Sequence, residues 1–282
     1  MKKKQLILFT FLYSFIVFSQ EKTIKGIVTD SLKNPIQYVN VGVLNKPLGT
    51  LTNASGEFIL NVDSSMNLDT LKISCLGYKS KEMKVESLIN NKSEIQISLA
   101  NYIEKLDEVV ITSGKLKMYN EGKEKTKTSA SVIFANPNYV NQNLGSEIGR
   151  KFSLGTKKPS ILTHFKFFIR ENNFELVKFR INIYSINNNR PVKKLFGSNI
   201  IVDVNNKGKG WVNVDLTKYD IKTQEDIIVT VEWLEGSKDG SRLNLPIIIP
   251  SLGSTHYYKF GSQAKWQKYS NLSSSMILSY KQ

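Results

Sequence analysis

The chain has 282 residues, with 39 Lys and Arg against 24 Asp and Glu, a formal net charge of +15 at pH 7, and one cysteine. This length is enough for two domains with separate hydrophobic cores. A single cysteine excludes an intramolecular disulfide, so stability must come from packing.

The first residues, MKKKQLILFTFLYSFIVFSQ, have the features of a secretory signal peptide. Three lysines precede an apolar run from Leu6 to Phe18, and the small Ser19 suits cleavage. That run is too short to span a bilayer, and no later stretch is long enough. We therefore expect residues 1–19 to be removed and the protein to reach the periplasm, the outer membrane or the extracellular space. Its basic charge then favours anionic envelope surfaces over nucleic acid.

Residues 20–111 predict a small β-domain, because apolar and polar residues alternate in short runs that are separated by turn residues. Asn53 to Gly56 predicts a tight turn, and Cys75 alternates with Leu71 and Ile73 as a small core side chain would. The predicted strands are TIKGIVTD, YVNVGVL, GEFILNV, DTLKISCLGYKS and SEIQISL.

These motifs, from GIVTD through NPIQYVNVGVLN, GTLTNASGEFIL and DTLKISCLGYKS to LDEVVIT, resemble the carboxypeptidase regulatory-like domain of Gram-negative envelope proteins. The resemblance implies a prealbumin-like β-sandwich and no catalytic residue. It extends to the N-terminal extension of TonB-dependent transporters, in which a stretch similar to LDEVVIT precedes a plug and a barrel. Residues after 130 predict one sandwich instead, so we do not expect transport by this polypeptide.

The segment LDEVVI has two interpretations. In the first, it belongs to this polypeptide alone, as the last strand of the first sandwich or the start of a linker. In the second, it is an exposed docking strand that pairs with a partner's sheet. The residues concerned are Leu106, Asp107, Glu108, Val109, Val110 and Ile111.

Residues 112–130 are polar and rich in lysine, which predicts a linker. Residues 131–282 then predict at least eight antiparallel strands and a larger, jelly-roll-like β-sandwich. In ILTHFKFFIR, alternation places Ile161, Phe165 and Phe167 on the inner face, with Leu162 and His164 outside. The whole chain is therefore predicted to be all-β, with two sandwiches in tandem.

No motif in the chain identifies a reaction. A catalytic zinc needs three protein ligands, and neither His164 nor His256 has a carboxylate at ligand spacing. The chain has no nucleophile elbow and no phosphate-binding loop. The loop EGSKDGS, residues 235–241, allows a calcium site as an alternative to a simple turn. We expect no metal and no cofactor.

The aromatic and basic segment HYYKFGSQAKWQKY is the best candidate binding feature, because aromatic rings stack on sugars and lysines attract anions. The alternative is that its aromatic residues belong to the core. The candidate ligand-binding residues are Tyr257, Lys265, Trp266, Lys268 and Tyr269.

Together these features predict a non-catalytic, secreted binding or adaptor protein of the cell envelope. Its partner would be an envelope protein, a glycan or an anionic envelope surface. Two alternatives stay open: a secreted hydrolase of glycans or peptides with a dispersed carboxylate site, and an accessory component of an outer-membrane uptake complex.

Overall fold

A computed structural model of the chain describes residues 21–90, 94–102, 116–135, 143–155 and 158–282. The predicted signal peptide and the predicted docking strand at residues 106–111 lie outside these ranges. Within them the fold is all-β with two successive sandwiches, as the sequence predicts. No helix in the described ranges is long and apolar enough to cross a bilayer.

The first sandwich packs a three-stranded sheet, β4–β1–β7, against a four-stranded sheet, β3–β2–β5–β6. The predicted turn is confirmed, because the Asn53 side chain accepts backbone hydrogen bonds from Ser55 and Glu57, and Gly56 has a φ of 74°. The elements are β1 (Glu21–Thr29), β2 (Asn40–Val43), β3 (Gly49–Leu51), β4 (Glu57–Asp63), β5 (Thr70–Ser74), β6 (Lys81–Lys84), the short helix α1 (Val85–Ile89) and β7 (Ile95–Ser98).

The second sandwich encloses its aromatic core between a seven-stranded sheet and two smaller sheets. Its strands are β8 (Met118–Lys123), β9 (Ala130–Ala135), β10 (Glu147–Phe152), β11 (Ser160–Ile169), β12 (Glu171–Asn172), β13 (Leu176–Asn187), β14 (Arg190–Lys194), β15 (Ile200–Asn205), β16 (Gly210–Asp215), β17 (Lys222–Thr223), β18 (Ile227–Gly236), β19 (Leu243–Ile248), β20 (Thr255–Lys259), β21 (Gln267–Ser270), β22 (Ser273–Ser274) and β23 (Met276–Lys281).

The large sheet has the order β14–β13–β18–β10–β20–β21, with β15 also paired to β13. Facing it are the five-stranded sheet of β16, β11, β23, β8 and β17 and the four-stranded sheet of β12, β19, β22 and β9. One face of the large sheet forms the core, and its opposite face turns towards the first sandwich.

Two predictions for the second half of the chain are wrong in detail. The expected linker, residues 112–130, includes strand β8, which pairs with β23 at the edge of its sheet. Both faces of β8 are largely exposed, so its sequence lacks the alternation that indicates a strand. In β11 the register shifts between Leu162 and His164, which buries Leu162 and leaves Ile161 half-buried.

A seam of hydrogen bonds joins the two sandwiches. Ser262 Oγ donates to the carbonyl of Val41 at 2.9 Å, and the backbone N–H of Asn45 donates to the carbonyl of Gln263 at 2.9 Å. Arg180 Nη2 donates to the carbonyl of Tyr38 at 3.2 Å. The second sandwich therefore holds the first largely through the main chain of the first.

Close packing accompanies these hydrogen bonds at the seam. Tyr38 and Leu51 of the first sandwich form an apolar cluster with Leu234 of the second. A Cβ atom added at Gly49 would lie 2.2 Å from Ser262 Oγ, so only glycine permits this approach. All four residues of β2 are buried, because the second sandwich covers the face that the core leaves open.

A buried polar network lies on the face of the large sheet that turns towards the first sandwich. Glu147 is 1% exposed and accepts hydrogen bonds from Asn182, Tyr184 and Thr230, as well as from Lys259 Nζ at 2.5 Å. Each of these donors offsets part of the cost of removing the carboxylate from water.

Glu232, the second carboxylate of this network, is fully buried and lies 3.2 Å from Nη1 of the equally buried Arg180. It also accepts a hydrogen bond from Asn182 at 2.8 Å. Burial alone would raise the pKa of Glu232, but Arg180, Lys194 and Lys259 outweigh it and hold the pKa at about 2. Glu232 is therefore ionised in the folded protein.

We expect the change Glu232→Ala to lower the free energy of unfolding by about 3–5 kcal/mol, because it leaves the Arg180 guanidinium buried without a carboxylate. Urea denaturation measures this loss. The double change Arg180→Met with Glu232→Met should lower the free energy of unfolding less than Glu232→Ala alone, since it removes both charges. An equal loss in the single and double variants would contradict this account, and the exposed Glu225→Ala is the matched control.

His256 is buried in the second sandwich, with 2% of its surface exposed, and its Nδ1 lies 2.9 Å from Ser274 Oγ. Burial, with a smaller effect of Arg150, lowers the pKa of His256 from 6.5 to about 4. The unfolded chain therefore takes up a proton near pH 6.5, whereas the folded protein does so only near pH 4. The stability that neutral His256 contributes is present above pH 6.5 and is lost as the pH falls towards 4.

From this shift we expect urea denaturation to show a loss of about 2 kcal/mol between pH 7.5 and pH 5. His256→Gln should flatten that slope. The only other histidine, His164, is exposed, so His164→Gln should leave the slope unchanged. A slope that persists in His256→Gln would assign the pH dependence to other groups.

Candidate functional site

A crevice of about 790 Å³ opens along the seam, and both sandwiches line it. We call it the seam crevice. The second sandwich contributes Glu147 and Tyr184 of the buried network, and the first contributes Asn40 and Ser74. The crevice therefore exists only where the two sandwiches meet.

The lining of the seam crevice is strongly cationic, with five basic side chains and one carboxylate, that of Glu147. Glu147 is already satisfied by the hydrogen bonds of the buried network. The net charge of the lining therefore attracts an anion. The five basic residues are Lys72, Arg190, Lys194, Lys259 and Lys265.

Three of these cations have no carboxylate oxygen within 4.0 Å among the residues that the structure describes: Arg190, Lys194 and Lys265. The other two are paired, Lys72 with Glu82 and Lys259 with Glu147. Lys194 is half-buried, and desolvation lowers the pKa of its ammonium. The charges of Glu232 and Glu147 offset part of this effect from beyond ion-pair distance, which leaves the ammonium of Lys194 open to a direct contact with an anion.

Trp266 supplies an aromatic wall to the seam crevice. Its indole meets the ring of Tyr184 edge-on, with 5.8 Å between the centroids, and Lys259 Nζ lies 5.2 Å from the Trp266 centroid. Tyr184 in turn donates a hydrogen bond to Glu147. The aromatic wall is thus held in place by the buried network behind it.

A second crevice of about 780 Å³ adjoins the first, and Ser80 and Lys194 line both. We call it the aromatic crevice, because Tyr78, Tyr102 and Phe196 line it. It also lies between the two sandwiches, since Tyr78 and Tyr102 belong to the first and Phe196 to the second. Lys194 therefore stands where the two crevices meet.

Of the five predicted ligand-binding residues, the structure brings Lys265 and Trp266 into the lining of the seam crevice. Tyr257 is fully buried beside Trp266 and donates a hydrogen bond to the carbonyl of Asn189, so it supports the wall from behind. Lys268 and Tyr269 lie on β21, outside the lining, and the Tyr269 ring is 6.1 Å from that of His256.

Sequence reasoning missed Glu147, Tyr184 and Lys194 as parts of the site, whereas Lys259 lies within the aromatic and basic segment that it singled out, outside the five candidate residues. A signal was present in β13, where Arg180, Asn182 and Tyr184 alternate with buried apolar residues. Such alternation normally indicates a solvated face. Here the polar face is covered by another domain, which the pattern alone does not reveal.

The predicted alternative of a calcium site in residues 235–241 receives no support from the geometry. Glu235 accepts a hydrogen bond from the Tyr38 hydroxyl at 2.9 Å across the seam. In the described part of the chain, no group of three or more His, Cys, Asp and Glu side chains is arranged to hold a metal ion.

Comparison with known proteins finds similarity in the N-terminal part of the chain. Residues 24–111 match the family model of the CarboxypepD_reg-like domain. The TonB-dependent receptor SusC of Bacteroides thetaiotaomicron is 30% identical over 132 residues, which are 46% of this chain and 12% of SusC. The similarity thus spans about an eighth of the length of that relative.

Among solved structures, a DUF3823 family protein from Parabacteroides merdae aligns with 77% of this chain and all of its own, at 10% identity and a TM-score of 0.21. A score this low does not indicate a shared fold. The family match rests on residues 24–111 and confirms the resemblance that the sequence motifs indicate. The N-terminal sandwich of this chain is thus similar to CarboxypepD_reg-like domains over residues 24–111.

Proposed function

We propose that the protein is a non-catalytic binding protein of the cell envelope and that its ligand occupies the seam crevice. This proposal rests on the lining of that crevice, which contains five basic side chains, Trp266 and one carboxylate. That carboxylate, Glu147, already accepts hydrogen bonds from protein side chains. Such a surface attracts an anionic ligand and offers it an aromatic contact.

The envelope location rests on two supports. The first residues have the pattern of a secretory signal peptide. Part of the chain is similar to a protein whose name places it among TonB-dependent receptors, although the similarity covers 12% of that protein. Both favour an envelope component, and neither specifies a partner.

A hydrolase is the less favoured function, because the two buried carboxylates of the network are poorly suited to proton transfer. A general acid needs a pKa near the working pH. The pKa of Glu232 is instead held at about 2, and its carboxylate forms an ion pair with Arg180. Glu147 already accepts hydrogen bonds from four side chains.

The test is retention of envelope material on the immobilised full-length protein. The double variant Lys265→Ala with Trp266→Ala should lose most of the protein and carbohydrate that the wild type retains from an envelope extract, because it removes one cation and the aromatic wall of the crevice. The matched control is Lys268→Ala with Tyr269→Ala, which also replaces one lysine and one aromatic residue, on strand β21 outside the crevice.

Equal retention by both double variants would overturn the assignment of the ligand site to the crevice. Circular dichroism of each variant checks that the fold is intact. A soluble product released from the retained material by the wild type, and not by Glu147→Gln, would contradict the non-catalytic function and support the hydrolase.

A further inference from the structure

We propose that the ligand is a linear oligosaccharide that carries carboxylate groups, and that it runs along the seam from Trp266 past Lys194 into the aromatic crevice. This inference rests on the proposed function and names the chemical class of its ligand. It goes beyond an anionic surface in general, because it requires sugar rings as well as charge.

The position of Lys194 supports a buried anionic contact. It is the only lysine that lines both crevices in the described part of the chain. Lys194 is half-buried and has no carboxylate oxygen within 4.0 Å among the described residues. Glu232 and Glu147 act on its charge from a longer distance, but neither forms an ion pair with it. A ligand carboxylate at this point would supply the direct contact that Lys194 lacks.

The volumes of the two crevices favour a ligand of several sugar units. Each has a volume within the range of small-molecule sites, about 790 and 780 Å³. Because Ser80 and Lys194 line both, the two crevices adjoin, and a ligand of several sugar units is long enough to contact both. A single monosaccharide would fill only a fraction of this space.

The two ends of the seam offer what a sugar ring presents, apolar faces and hydroxyl groups. Trp266 lies at one end, and Tyr78, Tyr102 and Phe196 lie at the other. Tyr102 is 54% exposed, so its ring is accessible to a ligand in the aromatic crevice. Amide and hydroxyl side chains such as Asn45 add hydrogen-bonding groups between them.

An acidic peptide fits the seam less well. Peptides commonly bind by adding a strand to a sheet edge. The edge strand that lines the seam crevice is β14, and it contains Pro191, which has no backbone N–H to donate. Strand addition at this edge is therefore interrupted, and the charged peptide would lose the main-chain bonds that normally hold it.

The experiment is isothermal titration of the full-length protein with three probes: an oligogalacturonate of six sugars, the same oligosaccharide with its carboxylates methyl-esterified, and hexaglutamate. We expect the oligogalacturonate to bind, and its affinity to fall as ionic strength rises. The methyl ester should bind at least tenfold more weakly, because it keeps the rings and loses the charges. Hexaglutamate should also bind at least tenfold more weakly, because it keeps the charges and loses the rings.

Variants locate the binding site. Lys194→Met and Trp266→Ala should each weaken oligogalacturonate binding at least tenfold, Lys194→Arg should restore most of it, and Lys268→Ala should leave it unchanged. Thermal unfolding of each variant confirms that it folds. Where Lys194→Met does not fold, Tyr102→Ala, at the exposed end of the seam, replaces it with the same expectation.

Each outcome decides between the two proposals. Equal binding of hexaglutamate and oligogalacturonate overturns the oligosaccharide and leaves an anion-binding crevice. No binding of any probe, while envelope material is still retained through Trp266, also overturns the carboxylated oligosaccharide and leaves the proposed function standing. No binding of any probe and no Trp266-dependent retention overturns both.

Discussion

The burial of two carboxylates on the outer face of a sheet is the constraint on which the arrangement of this protein depends. Glu147 and Glu232 are removed from water by the first sandwich, so each needs donors close at hand. Arg180 Nη1 pairs with one oxygen of Glu232, and Arg180 Nη2 also donates to the carbonyl of Tyr38 in the other sandwich. One guanidinium therefore links the charge balance of the second sandwich to the position of the first.

The same network shapes the candidate site. Lys259 neutralises Glu147 from the side of the seam crevice, and Tyr184 connects the network to the aromatic wall at Trp266. Arg180 and Lys259 are ion-paired within the network, whereas Lys194 on β14 acts on Glu232 only from beyond 4.0 Å. The site thus combines a buried, ion-paired base with a cation that has no ion pair among the residues described.

The first sandwich was predictable because its signals are local. Alternation in GEFILNV and the turn residues Asn53 and Gly56 determine β4 and the turn before it. The edge strand β8 and the bulge in β11 escaped prediction, since exposure and a register shift both remove alternation. The crevice could not be derived at all, because Lys194, Glu147 and Asn40 meet only when two separately folded units pack together. Lys265 and Trp266 were found because they are neighbours in the chain.

The seam has a further consequence for how this protein can change over evolutionary time. Its hydrogen bonds to the first sandwich reach the carbonyls of Tyr38 and Val41 and the N–H of Asn45, which every amino acid except proline can offer. Many side chains of the first sandwich can therefore diverge without loss of these bonds, provided that Gly42 and Gly49 are kept beside Ser262 and that Tyr38 and Leu51 keep their contacts across the seam. A homologous domain of the same backbone shape could be exchanged into this place, and it would bring a different wall to the crevice. The joint between the sandwiches is in this sense modular, with a constant second unit and a first unit free to alter what is recognised.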